Sequence, residues 1–250
     1  MSILSIKNLC KNYHTKSDEI EAVKDFNIEI NEGEIIAIVG PSGCGKSTIL
    51  STLCGLENKT SGEIVFSKPD FKVGYMLQRD SLFPWLDVTD NCLLGIKVNG
   101  KVKDSDKGNV NNLLKTYGLD DFAHKYPSEL SGGMRQRVAL IRTLAIKPKI
   151  LLLDEAFSAL DYQTRIMVTK DIYGILRKEK ITALIVTHDI SEAISMADRV
   201  LVLSKRPGTI KDIHKIDFEI ENRTPLNCRQ SPKFSMYFDT LWKELGVNEQ

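Results

Sequence analysis

A chain of 250 residues, 42% apolar and 27% charged, has enough apolar material to bury a core as one large domain or two small ones. Its 34 Lys and Arg balance 33 Asp and Glu for a net charge of +1, with no long single-sign run, so nothing asks for nucleic acid or an anionic membrane surface as a partner. No apolar run approaches the roughly 20 residues that span a bilayer, the N-terminus lacks the layout of a signal peptide, and the five scattered cysteines form no CxxC pair, which together predict a cytoplasmic chain with free thiols.

Residues 3–9 alternate as a strand, 11–14 lead into a polar loop over 15–21, and 26–30 alternate again before the turn Asn31-Glu32-Gly33. This pattern predicts an antiparallel flank. Tyr13 is the one aromatic near this corner, and it can serve either as core or as a ring face for a purine base. The apolar run 35–39 then enters Gly40-Pro41-Ser42-Gly43-Cys44-Gly45-Lys46-Ser47-Thr48 and continues into Ile49-Leu50-Ser51-Thr52-Leu53. Strand, Gly-rich loop and helix are the context in which GxxxxGKS binds a nucleoside triphosphate. Glycines let consecutive N–H groups curl around phosphate oxygens, and the helix start adds the positive end of its dipole. Lys46 is expected at the β- and γ-phosphates and the Ser47 hydroxyl on Mg²⁺.

Residues 61–66 and 71–77 read as strands, the second ending at Gln78. The Pro-broken cluster Leu82-Phe83-Pro84-Trp85-Leu86 fits neither a regular strand nor a helix, so it either tucks under the domain or forms a partner surface. Helices are predicted near 89–97, 107–117 and 132–146, with a polar Lys-rich loop over 97–107. Lys46 and Asp154 lie 108 residues apart, more than a βαβ unit needs, which points to an inserted helical subdomain. At its end, Ser131 can cap a helix whose first turn holds Gly132 and Gly133, the construction of a second anion site.

The apolar run 149–153 ends in Asp154-Glu155 and fits a strand buried on both faces, its carboxylates on the ligand edge beside the phosphate loop. Asp154 is expected near Mg²⁺ through water and Glu155 as general base for an attacking water. An amphipathic helix to about 178 follows Phe157-Ser158-Ala159-Leu160-Asp161, and a second buried strand over 182–187 delivers His188 to the same edge. His14, His124 and His214 read as ordinary surface histidines. Strands near 199–204 and 209–216 close the sheet, and the tail ends in an amphipathic helix over 232–245 with Phe234, Tyr237, Phe238, Leu241, Trp242 and Leu245 on one broad face.

Taken in order, these residues resemble the nucleotide-binding subunit of an ATP-binding cassette (ABC) transporter along essentially the whole chain. Gly40 to Thr48 match the Walker A loop, Gln78 the Q-loop, Leu130-Ser131-Gly132-Gly133-Met134-Arg135-Gln136 the signature, the run 150–154 with Glu155 Walker B, Ser158-Ala159-Leu160-Asp161 the D-loop and His188 the switch histidine. The resemblance implies an α/β fold: a P-loop NTPase core with a mixed, largely parallel sheet, an antiparallel β flank and a helical subdomain at about 88–146, all within 1–217. A short tail, 218–250, carries the terminal helix. It implies ATP and Mg²⁺ as ligands, with Ser47, Gln78 and Asp154 toward the metal, Glu155, His188 and Gln78 in hydrolysis, and Tyr13 stacked on adenine.

It also implies a head-to-tail dimer with a second copy, in which Ser131, Gly132, Gly133 and Gln136 of one subunit meet the nucleotide held by Lys46 of the other. A transmembrane permease would dock near Leu82-Phe83-Pro84-Trp85, an extracellular solute-binding protein would act indirectly, and the chain would sit at the cytoplasmic face of the membrane. Within the family, that cluster, Arg206-Pro207-Gly208-Thr209-Ile210 and the short tail look like the importer group for nitrate, sulfonate and taurine-type solutes. The chain departs from the group at Ala156, where Pro is usual, which predicts a less constrained turn after Glu155, and at Ile141-Arg142-Thr143, where Ala-Arg-Ala is usual. A soluble ABC ATPase of DNA repair or translation would share the ATP site but usually brings a long coiled coil or a second cassette. A P-loop kinase or GTPase would share only Gly40 to Ser47.

Overall fold

The computed structural model describes residues 2–14, 18–69, 71–158 and 160–246. In chain order the elements are β1 (Ser2–His14), β2 (Glu19–Asn31), β3 (Ile35–Val39), α1 (Lys46–Leu53), β4 (Ser61–Phe66) and β5 (Val73–Met76). Three helices follow, α2 (Val88–Asn99), α3 (Asp104–Thr116) and α4 (Gly132–Ala145). The chain then alternates through β6 (Ile150–Asp154), α5 (Tyr162–Lys178), β7 (Thr182–Val186), α6 (Ile190–Met196), β8 (Arg199–Leu203) and β9 (Ile210–Lys215), and ends in α7 (Pro225–Gln230) and α8 (Pro232–Glu244).

Strands β3, β6 and β7 are apolar almost throughout and buried at every residue, as strands covered on both faces must be. They form the centre of a six-stranded sheet ordered β5-β6-β7-β3-β8-β9, parallel except for the edge strand β9. Alternation along β3 sorts its side chains between two cores. Ile36 and Ile38 pack with the second, three-stranded sheet β2-β1-β4, which is antiparallel as its half-buried alternation predicts. Ile35, Ala37 and Val39 join the larger core that runs through α2, α3 and α4. The helical insertion is therefore continuous in packing with the sheet. All five parallel strands point their C-terminal ends to one edge, where Gly40, Gln78, Glu155 and His188 follow β3, β5, β6 and β7 in turn.

Several elements differ from the sequence reading. Strand β1 continues to His14 and pairs Tyr13 with Ile20, so 11–14 is strand, and only 15–17 of the expected loop lie outside the described residues. Helix α6 was not signalled, because its seven residues are almost all buried and show no polar stripe. Its start is set by Asp189, whose carboxylate accepts from Ser191 N and Glu192 N at 2.8 and 3.1 Å. The short α7, capped by Thr224, was unmarked for the same reason of length. The tail docks firmly: Phe218, Cys228 and Leu241 are buried in the helical-side core, and the Tyr237 hydroxyl donates to Asp217 O at 3.1 Å. His214 corrects the expectation of a surface histidine, since its ring nitrogen lies 2.9 Å from a Glu244 carboxylate oxygen, whereas His14 and His124 are exposed.

Candidate active site

Between β3 and α1 the chain turns through Gly43 (φ +72°) and Gly45 (φ +108°), left-handed conformations that glycine adopts without a Cβ penalty. A Cβ on Gly45 would stand 2.6 Å from the Ala22 carbonyl oxygen, so the loop lies hard against β2. Lys46 is buried, and its ammonium donates to Gly40 O at 2.7 Å and Pro41 O at 2.9 Å, which fixes the charge inside the loop. Above it opens a cavity of about 370 Å³ lined by Tyr13, Ser42, Gly43, Gly45, Lys46, Ser47, Thr48, Glu155 and Arg206. Pro41 and Gly40 hold Lys46 from below, and the buried Cys44 anchors the loop in the core. Tyr13 is half-buried at the rim, with the Lys11 ammonium 4.6 Å from its ring centroid, and it both packs on the core and faces the cavity.

At the floor the Ser47 hydroxyl donates to Asp154 Oδ1 at 2.9 Å and the Tyr75 hydroxyl to Asp154 Oδ2 at 3.2 Å. Burial pushes the Asp154 carboxyl above its ordinary range, while these two bonds pull it back. The donor set fits Mg²⁺: both groups offer hard oxygens, and a cation would hold the buried carboxylate ionised. The Gln78 amide donates from Nε2 to Glu155 Oε2 at 2.9 Å.

Glu155 is the focus of the edge. Its backbone is left-handed (φ +46°), a conformation that costs energy in a residue with a Cβ, and it aims the side chain back over the cavity. Ser158 holds the turn with both N–H and hydroxyl on Glu155 O, at 3.1 and 2.9 Å, so the turn is pinned even though Ala156 stands where Pro is usual. His188 Nδ1 lies 3.4 Å from the same Oε2 that accepts from Gln78. The structure thus gathers Gln78, Glu155 and His188 around one carboxylate oxygen at the mouth of the phosphate cavity. An oxygen in this position can accept a proton from, or orient, a water at the cavity's outer end.

The signature segment stands apart from this cavity. Ser131 caps α4, accepting from Met134 N at 3.3 Å, which leaves its own O–H free to donate. Gly132 is exposed, and a Cβ on Gly133 would meet Leu160 at 3.3 Å, so the helix start is open to solvent beside the 158–161 turn. Gln136 does not face outward as expected: it is buried against Met76, Phe157 and Leu160, its Oε1 without a hydrogen-bond partner among the described residues. Its side chain therefore links α4 to the turn that follows Glu155. Asp161 caps α5, accepting from Thr164 N at 3.0 Å; Ala159 of the same turn lies outside the described residues.

The segment after Gln78 is held from two sides. Arg135 Nε donates to Asp80 Oδ2 at 2.9 Å, and the Arg142 guanidinium donates to Asp80 O and Ser81 O, both at 2.8 Å. Beneath the loop the buried Asn91 amide accepts from Phe83 N and donates to the carbonyls of Phe83, Leu86 and Asp87. So braced, the loop presents Trp85, 68% exposed, and Phe83, 37% exposed, with rings edge-on at 5.2 Å. The core alternative for Trp85 is thereby overturned.

Arg206 and Tyr75 belong to the site although the sequence reading gives neither a role in it. Arg206 Nε donates to Gly43 O at 3.0 Å, and its loop is bolted on by Gly208, whose N–H donates to Ala22 O at 3.0 Å and whose missing side chain clears Cys44 O. The available signal was Arg-Pro-Gly after a buried strand. Reading it needed the knowledge that β8 lies beside β3.

Comparison with known proteins identifies relatives of the chain. The family model described as ABC transporter matches residues 23–158. Over 255 aligned residues the chain is 42% identical to the uncharacterised ABC transporter ATP-binding protein YtlC of Bacillus subtilis, covering 100% of this chain and 98% of that protein. It is 39% identical to the aliphatic sulfonates import ATP-binding protein SsuB of Bacillus cereus (89% and 87% covered) and 38% identical to the nitrate import ATP-binding protein NrtD of Synechocystis (95% and 93%). Among solved structures, the ATP-binding cassette MJ0796, a dimer in a post-hydrolysis state bound to ADP and Pi, superposes with a TM-score of 0.77 at 31% identity, covering 86% of this chain and 99% of that one.

Proposed function

Because this chain belongs to the ABC transporter family of ATP-binding proteins, we propose that two copies of it clamp and hydrolyse ATP to drive a membrane importer for a small solute of the nitrate, sulfonate or taurine kind. Membership makes the chain an ATPase; the solute class rests on the names of the import relatives. The observation that carries the mechanism is the meeting of Gln78, Glu155 and His188 at the mouth of the Lys46 cavity.

In this reading the triphosphate lies along the 40–48 loop, where the N–H groups, the α1 dipole and Lys46 neutralise it, Arg206 adds charge from the side, and Tyr13 receives the base. Ser47, with Asp154 beside it, would hold a Mg²⁺ ion, which would supply charge neutralisation for the phosphates when bound. Glu155 orients and deprotonates the attacking water, and His188 and Gln78 hold the carboxylate in place for it. The exposed start of α4, with Ser131 free to donate, is directed to the γ-phosphate held by a second copy, since no signature residue lines its own cavity.

No helix among the described residues is long and apolar enough to cross a membrane. The import relatives point to a permease as the partner that takes up the work of hydrolysis. Phe83 and Trp85 form the contact with it at the cytoplasmic face, with a solute-binding protein acting on the far side of the permease. The segment 78–86, tied to α4 by Arg135 and Arg142, moves with a helical subdomain at about 88–146 when Gln78 shifts. Mixing Lys46→Ala and Ser131→Arg chains tests the shared site. Each is inactive alone, and together they regain activity from the dimers whose one composite site has both native halves; mixtures as inactive as either parent contradict it.

A further inference from the structure

Away from the nucleotide, edge strand β9 and terminal helix α8 meet through a cluster that the ATPase reading leaves without a task. Asp212 and His214 are two residues apart on β9 and so share one face of the strand. Glu244, in the last turn of α8, is brought to that face from the far end of the chain. His214 Nε2 stands 2.9 Å from Glu244 Oε2 and 3.8 Å from Asp212 Oδ2, and the three ligand atoms all fall within 4.8 Å of one another. His214 and Glu244 are 19% and 23% exposed, while Asp212 opens to solvent and leaves an entry path.

The chemistry of this trio is that of a metal site. A proton on His214 satisfies at most one carboxylate well, and Lys211, the cation beside it, is committed to the Glu244 backbone carbonyl at 2.8 Å. Bond lengths of about 2.0–2.2 Å from zinc to nitrogen and oxygen put neighbouring ligand atoms of a tetrahedral ion roughly 3.3 Å apart, between the two separations observed. One imidazole with two carboxylates suits zinc and its borderline neighbours, whereas Mg²⁺ and Ca²⁺ select oxygen alone.

We propose that Asp212, His214 and Glu244 bind one divalent transition metal of the zinc class, water completing its shell, and that the ion clasps the terminal helix to the sheet edge. Because its ligands come from β9 and α8, the ion ties the terminal helix to the sheet edge. It also steadies β9, which begins four residues after Arg206 and so adjoins the nucleotide cavity.

The test is zinc titration of the metal-stripped full chain by calorimetry, beside thermal unfolding with and without zinc, for the native chain, His214→Ala, Asp212→Asn and the near-isosteric Glu244→Gln. One zinc equivalent is expected in the native chain together with a raised melting temperature. That equivalent is lost in His214→Ala and weakened at least about 10-fold in the two carboxylate variants, the scale on which metal sites respond to perturbed ligands. Far-ultraviolet circular dichroism of the zinc-free variants establishes that they fold. Native-like zinc binding by folded His214→Ala, or no zinc uptake by the native chain, overturns the proposal and leaves the trio a hydrogen-bonded pin.

Discussion

The Gln78 amide and the Glu155 carboxylate are hydrogen-bonded at 2.9 Å across the ends of adjacent strands β5 and β6. Because Gln78 opens the segment that ends in Phe83 and Trp85, this hydrogen bond ties the proposed general base to the proposed docking loop. Removing the amide should therefore loosen Glu155 and disconnect the loop together. Gln78→Ala is expected to keep ATP affinity and to lose roughly 10-fold or more in turnover, the scale of a hydrogen bond to a charged group. Turnover of purified chain beside nucleotide binding checks it; unchanged turnover would remove Gln78 from the site.

Arg206 predicts a binding defect of a different kind. It lines the cavity from the β8–β9 loop and adds a cation beside the phosphate loop. Arg206→Ala should weaken ATP roughly 10-fold while leaving turnover at saturating ATP nearly unchanged, since a charge-assisted contact of this type is worth about 1.5–3 kcal/mol. Titration with a fluorescent ATP analogue measures the first effect and kcat the second. Native affinity in the variant would assign Arg206 to loop structure alone.

Trp85 predicts an assembly defect without a stability defect. Truncating a core aromatic costs about 3–5 kcal/mol and would lower the melting temperature by roughly 6–20 °C in a chain of this size. Trp85 is 68% exposed, so Trp85→Ala should melt within about 2 °C of the native chain, keep basal ATPase and fail to assemble with its permease. Thermal denaturation and co-purification decide; normal assembly and transport by the variant refute the docking role.

Glu192 predicts the pH dependence of stability. It is 4% exposed in α6, and its carboxyl is pushed up to about 8 by burial first and by Asp189 second, against Arg165, a Thr187 hydrogen bond and Arg229. Below its ordinary value of 4.5 both folded and unfolded chains hold the proton. Between there and about 8 only the folded chain holds it, so stability falls as pH rises through that window and levels off above it. Glu192→Gln is neutral throughout. Relative to it, the native chain should lose stability with a slope approaching about 1.4 kcal/mol per pH unit, measured by urea unfolding from pH 5 to 8; parallel profiles would show that Glu192 is ionised in the fold.

What could be read beforehand was what local physics dictates. The runs at 35–39, 150–154 and 182–186 are buried on both faces and announce themselves as central strands, and Gly40 to Thr48 can scarcely be built into anything but a phosphate loop. Hidden were features fixed by distant contacts. Arg206 reaches the cavity only because β8 lies beside β3, and Gln136 turns inward because one helix presents neighbouring residues to different faces. Helix α6 is too short and too buried to show a period, and His214 looked ordinary until α8 folded back to place Glu244 against it.

The central claim is that hydrolysis belongs to a site shared by two copies, with Glu155 as its base, and Glu155→Gln tests it most directly. The substitution keeps the shape and the Gln78 neighbourhood but removes the basic oxygen, which commonly costs about 10²- to 10⁴-fold in rate. With hydrolysis blocked, bound ATP should hold the two copies together. Sedimentation of Glu155→Gln should show a monomer without nucleotide and a dimer holding two ATP molecules with it. A monomer in both conditions, or undiminished turnover, contradicts the account.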